Sequence, residues 1–193
     1  MGGCVPVKDG VPPENRPRKD DLSKGTKIHT VYISVGSNVG NKCMNCKKGV
    51  DALISSETET FIRQSPFYMT EPVDFKDQEW FVNSVVKIKT ALTPFQLLDR
   101  LRSIERDAGR TDDSIRFGPR ILDLDMLIYD DCVVNSHRLV LPHPRMHKRR
   151  FVLKPICDID PQKVHPVLKQ NMQYLLHCLD GNEQKIIRIR CDD

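Results

Sequence analysis

The sequence lacks any long hydrophobic run. Its apolar stretches reach at most about five residues, whereas a membrane-spanning helix needs about 18 consecutive apolar residues. We therefore expect a soluble protein with no membrane partner. Hydrophobic residues still make up 39% of the 193 residues, which is enough for the core of one domain. No secretory signal is visible, so the predicted compartment is the cytoplasm.

The cysteines lack both a disulfide framework and a zinc pattern. Their odd number, without a secretory signal, favours free thiols in a reducing compartment. Cys43 and Cys46 form a C-x-x-C pair, but a zinc site needs a second ligand pair at a defined spacing. We expect ordinary thiols at all seven positions. These are Cys4, Cys43, Cys46, Cys132, Cys157, Cys178 and Cys191.

Residues 1–27 have few of the apolar residues that a packed segment needs. They are rich in proline, glycine and charges of both signs, a composition typical of disorder. The sequence therefore predicts a disordered tail over residues 1–27 and a single folded domain over residues 28–193.

Strand and helix signals alternate along the predicted domain. β-Branched and apolar residues predict strands at 30–35, 58–68 (broken by Pro66), 81–90 and 121–129. Caps and apolar periodicity predict helices at 42–55 and 93–109.

The element order β-α-β-β-α-β indicates an α+β fold of the ferredoxin-like type, in which an antiparallel sheet carries both helices on one face. A C-terminal extension follows. It is predicted to contain irregular structure, a helix near 171–180 and a last strand at 186–190.

Two carboxylates stand out on the strand predicted at 121–129. Asp123 and Asp125 are two positions apart, so both side chains point to one face of the strand. Adjacent carboxylates repel each other unless a cation joins them. Mg²⁺ suits this pair because it takes one or two carboxylates together with water and substrate phosphates. A solvent-exposed polar strand face is the alternative interpretation.

Basic residues surround this acidic pair. Arg110, Arg116 and Arg120 precede it, and six Lys or Arg with no Asp or Glu occupy residues 138–154. Arginine forks bind the non-bridging oxygens of phosphates while Mg²⁺ neutralises the bridging ones. The pattern therefore favours a triphosphate site, although such a block can also be a solvated basic face.

Short motifs around these residues occur in a characteristic order. They are Gly36-Ser-Asn38, Ser65-Pro-Phe-Tyr-Met-Thr70, Asp77-Gln78, Phe81-Val-Asn83, Ile104-Glu105, Gly109-Arg110, Arg116-Phe-Gly-Pro-Arg-Ile-Leu-Asp-Leu-Asp125, Leu141-Pro-His143, Met146 and Arg149-Arg-Phe151. Together, over about residues 30–165, they resemble the 6-hydroxymethyl-7,8-dihydropterin pyrophosphokinases of folate biosynthesis. The run from Arg116 to Asp125 is the most specific part.

The resemblance implies a reaction in which ATP transfers its terminal pyrophosphate to the hydroxymethyl group of a dihydropterin and AMP leaves. It implies two Mg²⁺ ions held by Asp123 and Asp125, with Arg110 and Arg120 as further catalytic residues. The partners would be these small molecules. Folate-pathway kinases of this kind are often fused to a dihydropteroate synthase or a dihydroneopterin aldolase, so a dihydropteroate synthase could follow residue 193.

The resemblance also assigns residues to the two substrates. On the pterin side, Phe81 and Phe151 would lie on either side of the ring, because flat rings favour aromatic faces, with Asn83 and backbone groups of Thr70 and Val73 at its edge. Core packing is the alternative for both phenylalanines. The ATP side would comprise Arg102, Glu105, Arg110, Arg116, Phe117, Arg120, Met126, Arg138, Leu139, His143 and Arg149.

Two other functions are compatible with the composition. A nucleic-acid-binding domain of the same fold would need aromatic residues in a defined pattern on a central strand, where Asp123 and Asp125 would repel phosphate, so no nucleic-acid partner is expected. An inactive relative serving as a regulatory or partner-binding module is the other candidate. The intact Asp123, Asp125, Asn83 and His143 argue against it.

Overall fold

A computed structural model describes residues 27–73, 77–110, 118–179 and 184–191. Nearly all of the predicted N-terminal tail lies outside these ranges. So do two residues of the predicted ATP set, Arg116 and Phe117.

An antiparallel sheet forms the centre of the fold. The strands are β1 (His29–Ser37), β2 (Glu59–Gln64), β3 (Phe67–Thr70), β4 (Phe81–Thr90), β5 (Asp123–Tyr129), β6 (Val134–Asn135), β7 (Val140–Leu141) and β8 (Ile186–Ile189). The main sheet has the order β5-β1-β4-β3-β8, with β2 also paired to β4, while β6 and β7 form a separate ribbon. Pro66 separates β2 from β3, as the sequence predicts, because proline cannot donate a ladder hydrogen bond.

Two helices cover one face of this sheet, α1 (Lys42–Ile54) and α2 (Pro94–Asp107). Helix α2 begins with a capping box in which Thr93 and Gln96 bond each other's backbone amides, and Pro94 occupies the first helical turn. Leu97 and Leu101 are fully buried against the sheet. The predicted ferredoxin-like arrangement, with both helices on one face, is confirmed.

The C-terminal extension covers the opposite face with helices α3 (Arg150–Ile159) and α4 (Met172–His177). The sequence predicts helix α4 and strand β8, but it predicts irregular structure where α3 forms. The local sequence does not indicate helix α3, because Pro155 lies inside the helix and Arg149 provides no side-chain cap. No helix that the structure describes is long and apolar enough to cross a lipid bilayer.

Polar contacts fix the C-terminal half of α3 to the sheet. The Tyr32 hydroxyl donates to Asp160 at 2.5 Å, and Lys87 lies 2.7 Å from the same carboxylate. The Tyr68 hydroxyl donates to Asp158 at 2.6 Å. Tertiary contacts therefore override the weak local helix signal of this segment.

A disulfide bond joins Cys43 in the first turn of α1 to Cys191 after β8. The expectation of free thiols is wrong for this pair. The two cysteines are 148 residues apart in sequence, but the fold brings their Cα atoms to 5.6 Å, within the range that a disulfide spans. Spacing along the chain could not reveal a pairing that depends on tertiary structure. Cys46 is a free, buried thiol.

Candidate active site

Small residues form the floor of a cavity on the face of the sheet that α3 covers. In the β1–β5 pairing, Ser34 faces Asp125 and Gly36 faces Asp123. On the other side, Gly36 pairs with Asn83 of β4. A Cβ atom on Gly36 would lie 2.6 Å from Oδ1 of Asn83, a distance that forces one of them to move. Glycine at position 36 therefore keeps space open between the Asn83 amide and the acidic pair.

The first cavity combines aromatic rings with amide groups. All five residues predicted to bind pterin line it, namely Thr70, Val73, Phe81, Asn83 and Phe151. Asn83 is buried, and its Nδ2 donates to Oγ1 of Thr70 at 2.7 Å. This bond fixes the orientation of the Asn83 side chain. Apolar walls with a few fixed polar groups suit a flat heterocycle.

The acidic pair lies at the edge of this cavity. Arg120 donates to Oδ1 of Asp123, and Arg110 lies 3.6 Å from the same oxygen. Burial raises the pKa of Asp123, as does the charge of Asp125, and Arg120 partly offsets both effects. Among the described residues, none forms a hydrogen bond or ion pair with the Asp125 carboxylate.

These carboxylates fit a magnesium ion. They supply hard oxygen ligands, and the repulsion between Asp123 and Asp125, which adds to burial in raising the pKa of Asp123, is one that a cation would relieve. No cluster of three or more His, Cys, Asp or Glu side chains suited to a metal occurs within the described ranges. A site of two carboxylates is consistent with Mg²⁺, which keeps water and phosphate as its other ligands.

Glu105 on α2 holds one of the arginines in place. Its Oε1 accepts from the backbone amide of Leu124 at 2.9 Å and lies 2.6 Å from Nη1 of Arg110. Burial raises the pKa of Glu105, while the Leu124 amide and Arg110 lower it. Glu105 therefore links α2 to β5 and directs Arg110 towards Asp123.

A second cavity lies between α2, β5 and the β6–β7 ribbon. Eight of the predicted ATP residues line it, namely Arg102, Glu105, Arg110, Arg120, Met126, Arg138, Leu139 and His143. Arg120 and Asp125 line both cavities. The two cavities therefore meet at Asp125 and Arg120.

His143 adds a neutral group to the second cavity. Its backbone amide donates to Leu127 at 2.8 Å, and its Nδ1 accepts from the amide of Arg145 at 3.2 Å. Burial, together with Arg149 and Arg145, lowers the pKa of His143 to about 4. The imidazole is therefore uncharged near neutral pH and can act as a hydrogen-bond partner.

Arg149 occupies a different place from the eight predicted ATP residues that line the second cavity. It lines the first cavity, and its guanidinium lies 5.3 Å from the centre of the Phe151 ring. Its predicted role beside ATP stays a prediction.

Asn38 and Gln78 belong to motifs that the sequence shows, although no role was predicted for them. Asn38 is buried, its Nδ2 donates to Oε1 of Gln78 at 2.9 Å, and its Oδ1 accepts from the amide of Arg120 at 2.7 Å. Asn38 thereby joins the loop before β4 to the segment before β5. Gln184, which also lines the first cavity, carries no signal in the sequence.

Comparisons with known proteins agree with this geometry. A 2-amino-4-hydroxy-6-hydroxymethyldihydropteridine pyrophosphokinase of Bacillus subtilis is 40% identical over 131 residues, which are 68% of this chain and 78% of that protein. The folic acid synthesis protein fol1 of Schizosaccharomyces pombe is 39% identical over 153 residues, 79% of this chain. The chain spans only 21% of the length of fol1.

A crystal structure of a Plasmodium falciparum HPPK-DHPS triple mutant has the same fold, with a TM-score of 0.64 and 15% identity, covering 83% of this chain and 45% of that one. The family model for 7,8-dihydro-6-hydroxymethylpterin-pyrophosphokinase (HPPK) matches residues 32–161. The matched residues include the aromatic, acidic and basic side chains that line the two cavities, and the chain belongs to the HPPK family.

Proposed function

We propose that this chain transfers pyrophosphate from ATP to 6-hydroxymethyl-7,8-dihydropterin, giving AMP and the pterin diphosphate. The observation that carries the proposal is that an aromatic, amide-lined cavity and a cation-lined cavity share Asp125 and Arg120. Two substrates bound on either side of this boundary would meet at the acidic pair. Holding two reactants in this way accounts for much of the rate gain in bimolecular transfer.

The first cavity suits the pterin. Phe81 and Phe151 offer ring faces, and Asn83 offers a fixed amide. Because Nδ2 of Asn83 donates to Thr70, its Oδ1 is the atom left to accept a hydrogen bond from the edge of the heterocycle. Binding the ring by its edge and faces leaves the hydroxymethyl group to reach the acidic pair.

The second cavity suits the triphosphate. Arg102, Arg110, Arg120 and Arg138 supply positive charge along its walls. Glu105 orients Arg110 before substrate arrives, so less side-chain entropy is lost on binding. Neutral His143 can donate a hydrogen bond without adding charge, and Arg149 adds a cation from the neighbouring wall.

We also propose that Asp123 and Asp125 hold two Mg²⁺ ions. Such ions neutralise phosphate charge and lower the pKa of a bound hydroxyl. The chain contributes by presenting Asp125 without a competing partner in the described structure and by balancing Asp123 with Arg120 and Arg110.

We further propose a role in folate synthesis, with a fused dihydropteroate synthase as the covalent partner. Relatives named folate synthesis bifunctional proteins support this proposal. The cytoplasm stays a prediction.

The test is AMP release that depends on both ATP and the hydroxymethyl pterin. Asp125→Asn should lower kcat at least about a hundredfold because it weakens metal binding, while the melting temperature stays near wild type. Asp51→Asn, on the exposed side of α1, is the matched control and should keep full activity. An Asp125→Asn variant that keeps more than about a tenth of wild-type kcat contradicts the metal assignment.

A further inference from the structure

Gln184 contributes to the first cavity from outside the segment that defines the family. The family model ends at residue 161, whereas Gln184 immediately precedes the β8 region and lines the cavity beside Phe151 and Val73. Its side chain is buried, with 8% of the residue exposed. A buried amide at the wall of a ligand cavity needs hydrogen-bond partners.

Both polar atoms of the Gln184 amide form hydrogen bonds, one to the segment at Glu71 and one to the start of helix α3. Nε2 donates to the backbone carbonyl of Glu71 at 2.7 Å, and Oε1 accepts from the backbone amide of Phe151 at 3.4 Å. Glu71 follows Thr70 in the segment that ends at Val73, and Phe151 lies in the first turn of α3. One side chain therefore connects the two walls.

The hydrogen bond from the Phe151 amide to Gln184 satisfies one of the free backbone amides at the start of helix α3. The first amides of any helix lack partners within the helix, and Arg149 supplies no side-chain cap here. Oε1 of Gln184 provides a partner for the Phe151 amide from a remote part of the chain. Losing it would free the helix start on which the Phe151 ring is carried.

Hydrogen bonds, strand pairing and a disulfide fix the backbone around Gln184, so its side chain starts from a defined position. The amide of Glu71 donates to the Lys185 carbonyl at 3.1 Å, and the Lys185 amide donates to the Glu71 carboxylate at 3.2 Å. Strand β8 pairs with β3 from Thr70–Ile186 to Phe67–Ile189. Beyond it, the Cys43–Cys191 disulfide ties the segment to α1.

We propose that Gln184 is a positioning residue for pterin binding, which sets the separation between the Phe151 ring and the wall formed by residues 70–73. The inference rests on the proposed function of the cavity. A flat heterocycle binds well only when the aromatic face that stacks on it and the groups that bond its edge are held at fixed positions relative to each other. The two described residues that bond the Gln184 side chain, Glu71 and Phe151, do not line the second cavity, so we expect an effect confined to the pterin.

The test compares Gln184→Met with wild type. Methionine keeps the length and apolar bulk of the side chain but removes both hydrogen bonds. We expect the Kd for 6-hydroxymethylpterin and the KM for the dihydropterin to rise about tenfold, as expected for the loss of two ordinary hydrogen bonds. The Kd for a non-hydrolysable ATP analogue with Mg²⁺ should change less than about twofold, and kcat likewise. Gln173→Met, on the exposed side of α4, is the control.

Two results would overturn the inference. One is a pterin Kd for Gln184→Met that stays within twofold of wild type. The other is an equal rise for pterin and the ATP analogue, which indicates general loosening of the fold. If Gln184→Met does not fold, Gln184→Glu is judged by the same criteria. Glutamate keeps an acceptor for the Phe151 amide but cannot donate to the Glu71 carbonyl, so the link between the two walls is still lost. A wild-type chain that binds no pterin contradicts the proposed function itself, whereas normal wild-type binding with an unaffected variant contradicts only the role of Gln184.

Discussion

Phe151 is the residue whose role in the site is easiest to separate from packing. Its ring lies on the wall of the first cavity and is half-buried. Helix α3 is held to the sheet by its own buried residues Val152 and Ile156. Removal of the ring should therefore leave the helix in place.

We expect Phe151→Ala to weaken pterin binding much more than ATP binding. Stacking of an aromatic ring on a flat base contributes roughly 1–3 kcal/mol, which corresponds to about ten- to a hundredfold in Kd. Titration calorimetry with each ligand measures both affinities. Phe61→Ala, an exposed phenylalanine on β2, controls for loss of an aromatic residue. Equal losses for pterin and nucleotide would mean that Phe151 acts through core packing.

For single residues, the sequence predicts the relationships that follow from strand alternation and short spacing. Asp123 and Asp125 share a face because a strand repeats every two residues, and the same rule places Phe81 and Asn83 together. The link from Asn83 to Thr70 needs the pairing of β3 with β4, which the sequence indicates only coarsely. Gln184 meets Glu71 and Phe151 across large separations in sequence, so no local pattern could identify it.

Among the elements, α3 shows how far local signals can mislead. Proline within a helix removes one hydrogen bond and usually breaks the helix, so the prediction of irregular structure follows from the sequence alone. Pro155 lies near the middle of α3 and is buried. Leu153 and Ile156 pack beneath the sheet, and Asp158 and Asp160 bond to tyrosines. These contacts exist only once the sheet has formed, which explains why the helix could not be foreseen.

Strand β8 depends on the sheet and on one covalent bond. It lies at an edge, with β3 as its only neighbour in the described part of the main sheet. The Cys43–Cys191 bond closes a loop with a sequence separation of 148 residues. Crosslinks that close long loops restrict the unfolded chain and can stabilise a fold by about 2–4 kcal/mol.

We expect Cys191→Ser to lower the free energy of unfolding by about that amount, 2–4 kcal/mol, under non-reducing conditions. Wild type in reductant should fall to the same level, because both changes remove one crosslink. Chemical denaturation with and without reductant provides the measurement. Cys132→Ser, at an exposed free thiol, is the matched control and should match wild type in both conditions. Identical curves for wild type with and without reductant would show that the bond does not contribute to stability.

At the scale of the molecule, the described residues form a sheet with one apolar core on each side. The core under α1 and α2 follows from the predicted β-α-β-β-α-β order. The core under α3 and α4 comes from the extension that the sequence left largely irregular. The first cavity depends on this second layer, because Phe151 and Val152 line it, and the second cavity depends on the β6–β7 ribbon, because Leu139 lines it. The sequence therefore predicts the scaffold and the acidic pair better than the walls around them.

The C-terminal extension also contains a buried titratable side chain, His165. This residue is buried, and its Nδ1 accepts from the amides of Val167 at 3.2 Å and Leu168 at 3.1 Å. Its Nε2 has no hydrogen-bond partner among the described residues. Burial lowers the pKa of His165 to about 4, from 6.5, and His147 nearby contributes to the shift. The folded protein therefore favours the neutral ring.

We expect His165 to destabilise the fold as pH falls from about 6.5 towards 4. In this window the unfolded chain binds a proton at His165 and the folded chain does not, so stability is full above the unfolded pKa and is lost as pH approaches the folded one. One such group changes the unfolding free energy by up to about 1.4 kcal/mol per pH unit. His165→Gln keeps an acceptor for the Val167 and Leu168 amides but does not titrate, so its stability should fall less steeply with acid. His177→Gln, at an exposed position in the last turn of α4, should follow the wild-type slope. Denaturant titrations at half-unit pH steps measure all three chains, and parallel slopes for wild type and His165→Gln would contradict the assignment, because other groups would then account for the acid sensitivity.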